Sequence, residues 1–405
     1  MTVQSFAVPY AKEEPTTCGY CSPPGERSEN ATSYKVAGLH AMRLSCEVYQ
    51  KMIDRGWRRS GTYCYKPDLR RSCCPQYTIK LDALAFKSGK SHRKLVHRWN
   101  RHILQGDSDI EAAGMHTKKE RINKPFDLVR ALHSSEKGCL DNAKATHEFE
   151  VNLEPASFTK EKYNLFCKYQ SVVHNDHEKS ESGFKHFLVD SPLVGEIIPY
   201  TTSSDHLPPK YGSYHQMYRV DGKLIAVGVL DILPNCVSSV YFMYDSEWEH
   251  YSLGKLSALR EVSLAKEIHD AGVPGMGYLY MGFYIYSCQK MRYKGEYSPS
   301  YLADPETYEW YPLETCIPLL QKHRYACFSN VEHCIEGVAP EISSAPEPAL
   351  SELDDLLLLQ RKEGSLTAVP VSWTNAWEIP SIKEDLCAVI EGLGLNLAQA
   401  IFWSV

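Results

Sequence analysis

Tyr214–Pro234 reads YHQMYRVDGKLIAVGVLDILP. Tyr214–Val220 predicts a strand, and Lys223–Leu230 predicts its return. Asp221-Gly222 between them suits a two-residue hairpin turn, which needs positive φ at both positions. The return strand, LIAVGVL, is apolar at consecutive positions, as in a strand covered on both faces. Pro234, which has no N–H to donate, closes it. Further along, Val237–Tyr244 predicts another strand. Leu256 to about Ala271 predicts a long helix, with Leu259, Val262, Leu264, Ala265 and Ile268 as its buried stripe. Gly275–Tyr286 predicts a further strand, and the aromatic-rich Tyr293–Tyr311 reads as irregular. Hairpin, strand, helix, strand is a mixed α/β (α+β) plan.

Upstream, Tyr163–His174 has helical character, and Ser180–Phe187 reads as a helix or turn. Residues 1–16 read as a loose tail. Ala41–Ile53 has the helical spacing Met42, Cys46, Tyr49, Ile53 and meets a stop at Gly56. Trp57–Lys66 reads as turn and strand, and Gln76–Phe86 as a strand. Ser91–Leu104 predicts a basic helix whose apolar face is Leu95, Trp99 and Ile103. After Cys334, Pro340–Pro348 is a linker, and Leu353–Leu359 reads as a short apolar helix. Ser381-Ile382-Lys383-Glu384 is a capping box opening a helix that ends near Gly392. These tail helices are expected to pack on the second module. The resulting division is a tail (1–16), a cysteine-rich module (17–104), a variable insertion (105–160), a second α/β module (161–334), and a linker with helices (335–405).

The 405 residues are 43% hydrophobic and 23% charged, an ordinary globular balance that excludes a low-complexity chain. No apolar run reaches membrane-spanning length. The opening MTVQSFAVPYAKEEP lacks the basic and apolar regions of a secretory signal. A soluble intracellular protein is expected, so the 14 Cys read as thiols or metal ligands rather than disulfides. Net charge is −6, unevenly spread: Lys51–His102 holds 14 Lys/Arg against 3 Asp/Glu, a local +11 that leaves −17 elsewhere. Such polarity points to a polyanion at the N-terminal end. Lys87, Lys90, Arg93, Lys94, Arg98 and Arg101 are the candidate contacts.

The same block contains a cysteine set. Cys18-Gly19-Tyr20-Cys21 offers two sulfurs from one loop, and Cys73-Cys74-Pro75 offers two more. Four thiolates suit tetrahedral Zn²⁺ or an iron–sulfur centre, and spacing does not separate the two. The plainer reading is four buried small hydrophobes. Cys46 and Cys64 are weaker substitutes. In the second module, Ser252, Gly254 and Lys255 open the long helix, where free amide N–H groups suit a phosphate or an oxyanion. Asp231 ends a buried strand and Glu261 lies in the helix; acidic groups there can hold a cation or accept a proton. Lys290, Arg292 and Lys294, set among aromatics, can hold a carboxylate or phosphate, with Arg58 and Arg59 as alternatives. Each of these has a bland counterpart in a solvated turn or surface loop.

CGYC (18–21) and DRGWRRSGTYCYKPDLRRSCCPQYTIK (54–80) resemble the N-terminal domain of the eukaryotic arginyl-tRNA–protein transferase family. The hairpin stretch (214–234), SSVYFMYDSEWEHYSLGKLSALREVSLA (238–265) and YLYMGFYIYSCQKMRYKGEYSPSYLADP (278–305) resemble its C-terminal domain. The resemblance implies a GNAT-type acyltransferase fold. It implies transfer of arginine from Arg-tRNA to the α-amino group of proteins beginning with Asp, Glu or oxidised Cys, marking them for an N-degron pathway of ubiquitin-linked degradation. It also implies an iron–sulfur cluster, or Zn²⁺, on Cys18, Cys21, Cys73 and Cys74. Acetyltransferases of that fold hold coenzyme A on a Gly-rich loop. Here Gly254 stands alone, so coenzyme A is not expected, and the helix start is expected to receive the aminoacylated 3′ end of tRNA; because an aminoacyl ester is already activated, ATP is not expected either. Asp231, as partner of the arginyl guanidinium or amine, and Glu261 are the expected catalytic residues. Arg58, Arg59, Lys290, Arg292 and Lys294 are expected to face the acidic acceptor. A monomer of the cytoplasm and nucleus, without a membrane partner, completes the expectation. The alternatives are a metal-dependent RNA-binding or redox-sensing protein without catalysis, a GNAT acetyltransferase using coenzyme A, and transfer of leucine in place of arginine.

Overall fold

A computed structural model of the chain describes residues 3–10, 14–21, 23, 26–106, 125–139, 145–202, 206–337, 348–362 and 365–405. Much of the expected insertion (107–124 and 140–144) and most of the expected linker (340–347) lie outside the described residues.

Residues 1–16 are not all tail: β1 (Ser5–Tyr10) pairs antiparallel with β2 (Lys35–Arg43). That pairing claims Ala41 for a strand, in register with Ala7. Helix α1 (Cys46–Asp54) therefore starts later than its spacing predicts. Its boundary is set by Ser45, whose Oγ accepts from Val48 N at 3.1 Å. Two short strands follow, β3 (Arg58–Ser60) and β4 (Tyr63–Pro67). Gly61 turns between them at φ 62, where a Cβ would stand 1.9 Å from the His186 carbonyl oxygen.

The chain then leaves this sheet. Strand β5 (Tyr77–Asp82) enters a second one, and α2 (Lys90–Gln105) follows with Leu95, Trp99 and Ile103 buried as its pattern predicts. Next come β6 (Phe149–Pro155), α3 (Lys160–His174), β7 (Gly212–Val220) and β8 (Lys223–Ile232). The β7–β8 hairpin forms as expected, with Asp221 at φ 50 and Gly222 at φ 77. Residues Leu224 to Ile232 are buried throughout. One face packs in a cluster with Leu259 and Val262 of the long helix, the other in a cluster with Leu165 and Phe166 of α3.

The second module is completed by β9 (Cys236–Tyr244), α4 (Leu253–Asp270), β10 (Tyr278–Tyr284), β11 (Ser300–Ala303) and β12 (Trp310–Pro312). The segment read as irregular thus contains β11 and the start of β12. Pairing of β11 with β5 supplies a ladder that its composition does not advertise. Strand order in this sheet is β12-β11-β5-β10-β9-β8-β7-β6. Strand β5 comes from the cysteine-rich segment, so one sheet is built from both expected modules.

The C-terminal stretch returns to the first sheet. Leu353–Leu359 is not a helix: β13 (Leu357–Lys362) pairs with β14 (Ser365–Pro370). A run of leucines suits either structure, and strand partners decide it. Helix α5 (Pro380–Leu393) packs on β1 and β2 rather than on the second module, and Trp57 Nε1 donates to the Gly392 carbonyl oxygen at 2.9 Å. β15 (Ile401–Trp403) lies parallel to β1, giving the order β14-β13-β15-β1-β2-β4-β3. No described helix is long and apolar enough to cross a membrane.

One irregularity positions the site. Parallel strands β9 and β10 pair only from Cys236–Tyr278 to Ser238–Tyr280. Beyond that, β9 continues against β8, while β10 bulges and continues against β5. Gly282, inside the bulge, has φ 68. The two strands part, and a wedge opens between them.

Candidate active site and metal centre

The wedge is a cleft of about 560 Å³. Its walls are β9 from Ser238 to Tyr244, β10 from Met281 to Phe283, and the first turns of α4 at Gly254, Ser257 and Glu261. Arg58, Arg59 and Tyr65 from the β3–β4 hairpin face it, as do Lys290 and Lys294. Six of the residues singled out in the sequence therefore meet in one place: Glu261, Gly254, Arg58, Arg59, Lys290 and Lys294.

Glu261 is buried, and Ser257 Oγ donates to its Oε1 at 2.8 Å. Burial pushes its carboxyl up to about 7, with hydroxyls of Ser257 and Ser239 restraining the shift. Lys294 lies on another wall, and its Nζ donates to the Phe283 carbonyl oxygen at 2.7 Å. Burial, with Arg58 nearby, pushes its ammonium down to about 7. The cleft thus holds a carboxylate and an amine that both titrate near neutrality, the condition for moving protons at physiological pH. Arg58 is held by the Gly282 carbonyl oxygen, 3.0 Å from its Nη2, with its guanidinium 4.8 Å from the Phe283 ring centroid. Arg292 does not line the cleft; it is exposed and its guanidinium lies 5.7 Å from the Tyr286 ring centroid.

Asp231 is fully buried and takes the chain's own Arg59. Arg59 Nε donates to Oδ2 at 2.9 Å and Nη2 to Oδ1 at 2.6 Å, a bidentate pair. Ser213 Oγ donates to the same Oδ1 at 2.7 Å. This carboxylate does not line the cleft; it sits behind Arg59, which does. The serines at 238 and 239 and the rings of Tyr20, Tyr65, Tyr169 and Tyr241 also line the cleft, and no local motif in the sequence marks them. The chain holds 26 tyrosines, a number that by itself does not say which ones converge.

A second cleft, of about 470 Å³, gathers Lys94 and Arg98 of α2 with Ser252 and Lys255 at the start of α4. The first turn of α4 thus touches both clefts, Gly254 in one and Ser252 with Lys255 in the other. Ser252 has φ 55, and its side chain makes no capping bond to α4. The helix end therefore keeps its partial positive charge uncapped by that side chain. Lys87, Lys90 and Arg101 are exposed and Arg93 half-buried; none of them lines this cleft.

Cys18, Cys21, Cys73 and Cys74 converge, with all four sulfurs within 4.8 Å of one another. Cys21 and Cys73 sulfurs are 3.9 Å apart, close to the separation of about 3.8 Å that two 2.3 Å bonds make in a tetrahedron. Thr32 Oγ1 donates to Cys73 Sγ at 3.1 Å, and Tyr20 N to Cys18 Sγ at 3.4 Å, the outer bonds that orient thiolate ligands. The donor set fits a metal. Cys46 and Cys64 sit in a separate buried cluster and are not part of it. The centre adjoins the first cleft: Tyr20 and Met291 pack against the cysteines and also line that cleft.

Residues 16–94 match the family model described as arginine-tRNA-protein transferase, N terminus, and residues 161–304 match the model for its C terminus. The chain is 34% identical to arginyl-tRNA–protein transferase 1 of Drosophila melanogaster, across 78% of this chain and 84% of that one. It is 26% identical to an aspartate/glutamate leucyltransferase of Stutzerimonas stutzeri, across 71% of this chain and 89% of that one. Among solved structures, L-PGS from Bacillus licheniformis overlaps 52% of this chain and 48% of its own at a TM-score of 0.23 and 12% identity, which establishes no common fold. The extent of the match to the Drosophila enzyme, together with the two family models, identifies the chain as a member of the arginyl-tRNA–protein transferase family.

Proposed function

We propose that this chain transfers arginine from Arg-tRNA to the α-amino group of proteins that begin with Asp, Glu or oxidised Cys, in the cleft between β9 and β10. The observation that carries the reading is the meeting of Glu261, Lys294 and Arg58 in one cleft that also receives the start of α4. An aminoacyl ester is already activated, so the reaction needs no ATP, no coenzyme A and no covalent enzyme intermediate. The acceptor ammonium, with a pKa of about 8, must lose a proton before it attacks. Glu261 accepts it. The amine forms a C–N bond with the arginyl carbonyl carbon, the C–O bond to the terminal ribose breaks, and the ribose oxygen leaves with the second proton given up by the attacking nitrogen. Charge building on the carbonyl oxygen is met by the N-terminal end of α4.

Lys294, Arg58 and Lys290 supply the cations that an acidic first side chain requires, in keeping with the acidic acceptors in the name of the Stutzerimonas relative. Arg59 and Asp231 hold the β3–β4 wall in place. The 3′ end of tRNA approaches through the cleft of Lys94, Arg98, Ser252 and Lys255, with Lys87, Lys90, Arg93 and Arg101 following its phosphates. The succession of hairpin β7–β8, strand β9, helix α4 and strand β10 supports a GNAT-type fold for this half of the chain. The four cysteines would hold a metal that fixes the Tyr20 loop beside the cleft. Sulfurs this close favour a single tetrahedral ion over a larger iron–sulfur cluster. Action as a monomer in the cytoplasm and nucleus belongs to the same proposal; the thiol-rich composition supports only the reducing compartment. The test is transfer of labelled arginine from Arg-tRNA to an Asp-starting dipeptide. Equal labelling of an Asn-starting dipeptide, equal use of Leu-tRNA, or acetyl transfer from acetyl-CoA in its place would overturn it.

A further inference from the structure

Tyr65 lines the first cleft from β4. Two residues earlier on the same strand face, Tyr63 stacks beside it, with centroids 5.9 Å apart and planes 17° apart. Tyr63 lies 5.3 Å from His40 of β2, and His40 lies 5.5 Å from Tyr10 of β1. The four rings cross three adjacent strands on the face turned away from the core. Their in-between neighbours Leu39, Ala41 and Cys64 are buried, whereas Tyr10 is 45% exposed and His40 is exposed. Gly38 makes the row possible. A Cβ there would stand 2.8 Å from the Tyr63 hydroxyl oxygen and 3.1 Å from a ring carbon, so Tyr63 lies over bare backbone. Lys35 Nζ sits 4.9 Å from the Tyr63 centroid and 5.4 Å from that of Tyr65.

We propose that this row is the track for the acceptor polypeptide: the residues following the one that receives arginine lie extended along Tyr65, Tyr63, His40 and Tyr10. The inference rests on the transfer reading above and extends it to the rest of the acceptor. Continuity selects the occupant. The row leaves the cleft by the β3–β4 wall, while the tRNA end is assigned to α4, where Lys94, Arg98 and Lys255 gather. A nucleic-acid strand needs cations spaced along its phosphates, and the row is tyrosine and histidine with Lys35 alongside. Spacing agrees as well. Every second side chain of an extended peptide recurs at about 6.6 Å, and rings 5.3 to 5.9 Å apart leave no gap beneath such a repeat. In the transfer reading acceptors are defined by an acidic first residue alone, so the surface beyond must take many sequences. Flat aromatic faces do this at small entropic cost.

The experiment uses the full chain with Arg-tRNA and two acceptors, an Asp-starting dipeptide and an Asp-starting peptide of about twelve residues, long enough at about 3.3 Å per residue to run the length of the row. KM for the long peptide should be lower than for the dipeptide. Tyr10→Ala, His40→Ala and Tyr63→Ala should each raise it about five-fold, with dipeptide kinetics and the Kd for Arg-tRNA unchanged. Tyr63→Phe, which keeps the ring, should retain most of the long-peptide affinity. Equal KM for the two acceptors in the unaltered chain, parallel losses with both acceptors in the variants, or weakened Arg-tRNA binding would overturn the track. Failure of the unaltered chain to label the dipeptide would overturn the transfer reading, and the track with it.

Discussion

Arg59 and Asp231 form a bidentate ion pair with 2.9 and 2.6 Å contacts, tying the β3–β4 hairpin of the first sheet to the end of β8 in the second. Both side chains are withdrawn from water, at 3% and 0% exposure. Removing one partner of such a pair leaves a buried charge alone, whereas replacing both by apolar groups is much cheaper.

Asp231→Ala should therefore cost about 3–5 kcal/mol of stability, read by urea unfolding. The double variant Arg59→Met/Asp231→Leu should recover most of that loss. Its KM for an acidic dipeptide should stay raised, because the hairpin wall is no longer held in register. A double variant as unstable as the single one would show that Asp231 does more than neutralise Arg59.

Glu261 gives a prediction with opposite signs for activity and stability. Its folded pKa of about 7 stands above the ordinary 4.5. Below pH 4.5 both folded and unfolded chains carry the protonated acid, and the residue costs nothing. As pH rises toward 7 the unfolded chain ionises freely and the folded one does not, so stability falls by about 3 kcal/mol and then levels off. Glu261→Gln should remove this decline, making the variant more stable than the parent at pH 8 and equal to it at pH 4. The same variant should lose about 100-fold or more in kcat, along with the rising limb of the rate profile near pH 7. A Tm unchanged at both pH values would contradict the buried carboxylate.

Lys294 should set the pH dependence of acceptor binding. Its ammonium is held near 7 by burial and by Arg58, so the cation fades as pH rises through that value. KM for an Asp-starting dipeptide should rise between pH 7 and 9. Lys294→Arg, always charged, should flatten that rise, and Lys294→Met should raise KM about ten-fold at pH 6.5 with Arg-tRNA binding intact. A flat KM in the unaltered chain would place the acidic side chain elsewhere.

The cysteine centre should be separable from the chemistry. Cys73→Ser should abolish metal retention, measured by elemental analysis, and expose the segment around Cys18–Cys21 to protease. Because Tyr20 lines the cleft from inside that loop, acceptor KM should rise while the single-turnover rate at saturating acceptor changes by no more than about three-fold. Metal retained at full occupancy in Cys73→Ser would exclude it as a ligand.

Local chemistry explains what was legible in the sequence. The β7–β8 hairpin announced itself because Asp221-Gly222 accepts positive φ and LIAVGVL has nowhere to go but inside. Helix α2 was legible from Leu95, Trp99 and Ile103 at helical spacing. The cysteines were found because ligation needs sulfurs in close-spaced pairs. Non-local pairing hid the rest. Ala41 has a helical neighbourhood and becomes strand only because Ala7 lies beside it. Asp231 looked like a cleft carboxylate until Arg59, 172 residues away, took it. The cleft itself comes from strands that stop pairing after three residues, an event that leaves no local mark beyond Gly282.

The start of α4 gives the most direct test of where tRNA lies. Lys94, Arg98 and Lys255 line one cleft with Ser252, and each phosphate they neutralise releases counterions. Affinity for Arg-tRNA should fall steeply with salt, and each of Lys94→Ala, Arg98→Ala and Lys255→Ala should flatten the log–log slope by about 0.7–0.9. Glu296 stands against this attraction, with its Oε2 3.2 Å from Lys255 Nζ at the cleft edge. Glu296→Gln should therefore tighten Arg-tRNA binding about three-fold at low salt, with less effect at high salt as screening sets in. Lys87→Ala, outside the cleft, should lower affinity less than Lys94→Ala. A salt slope unchanged in all three cleft variants would move the tRNA end away from α4, and with it the oxyanion role of that helix.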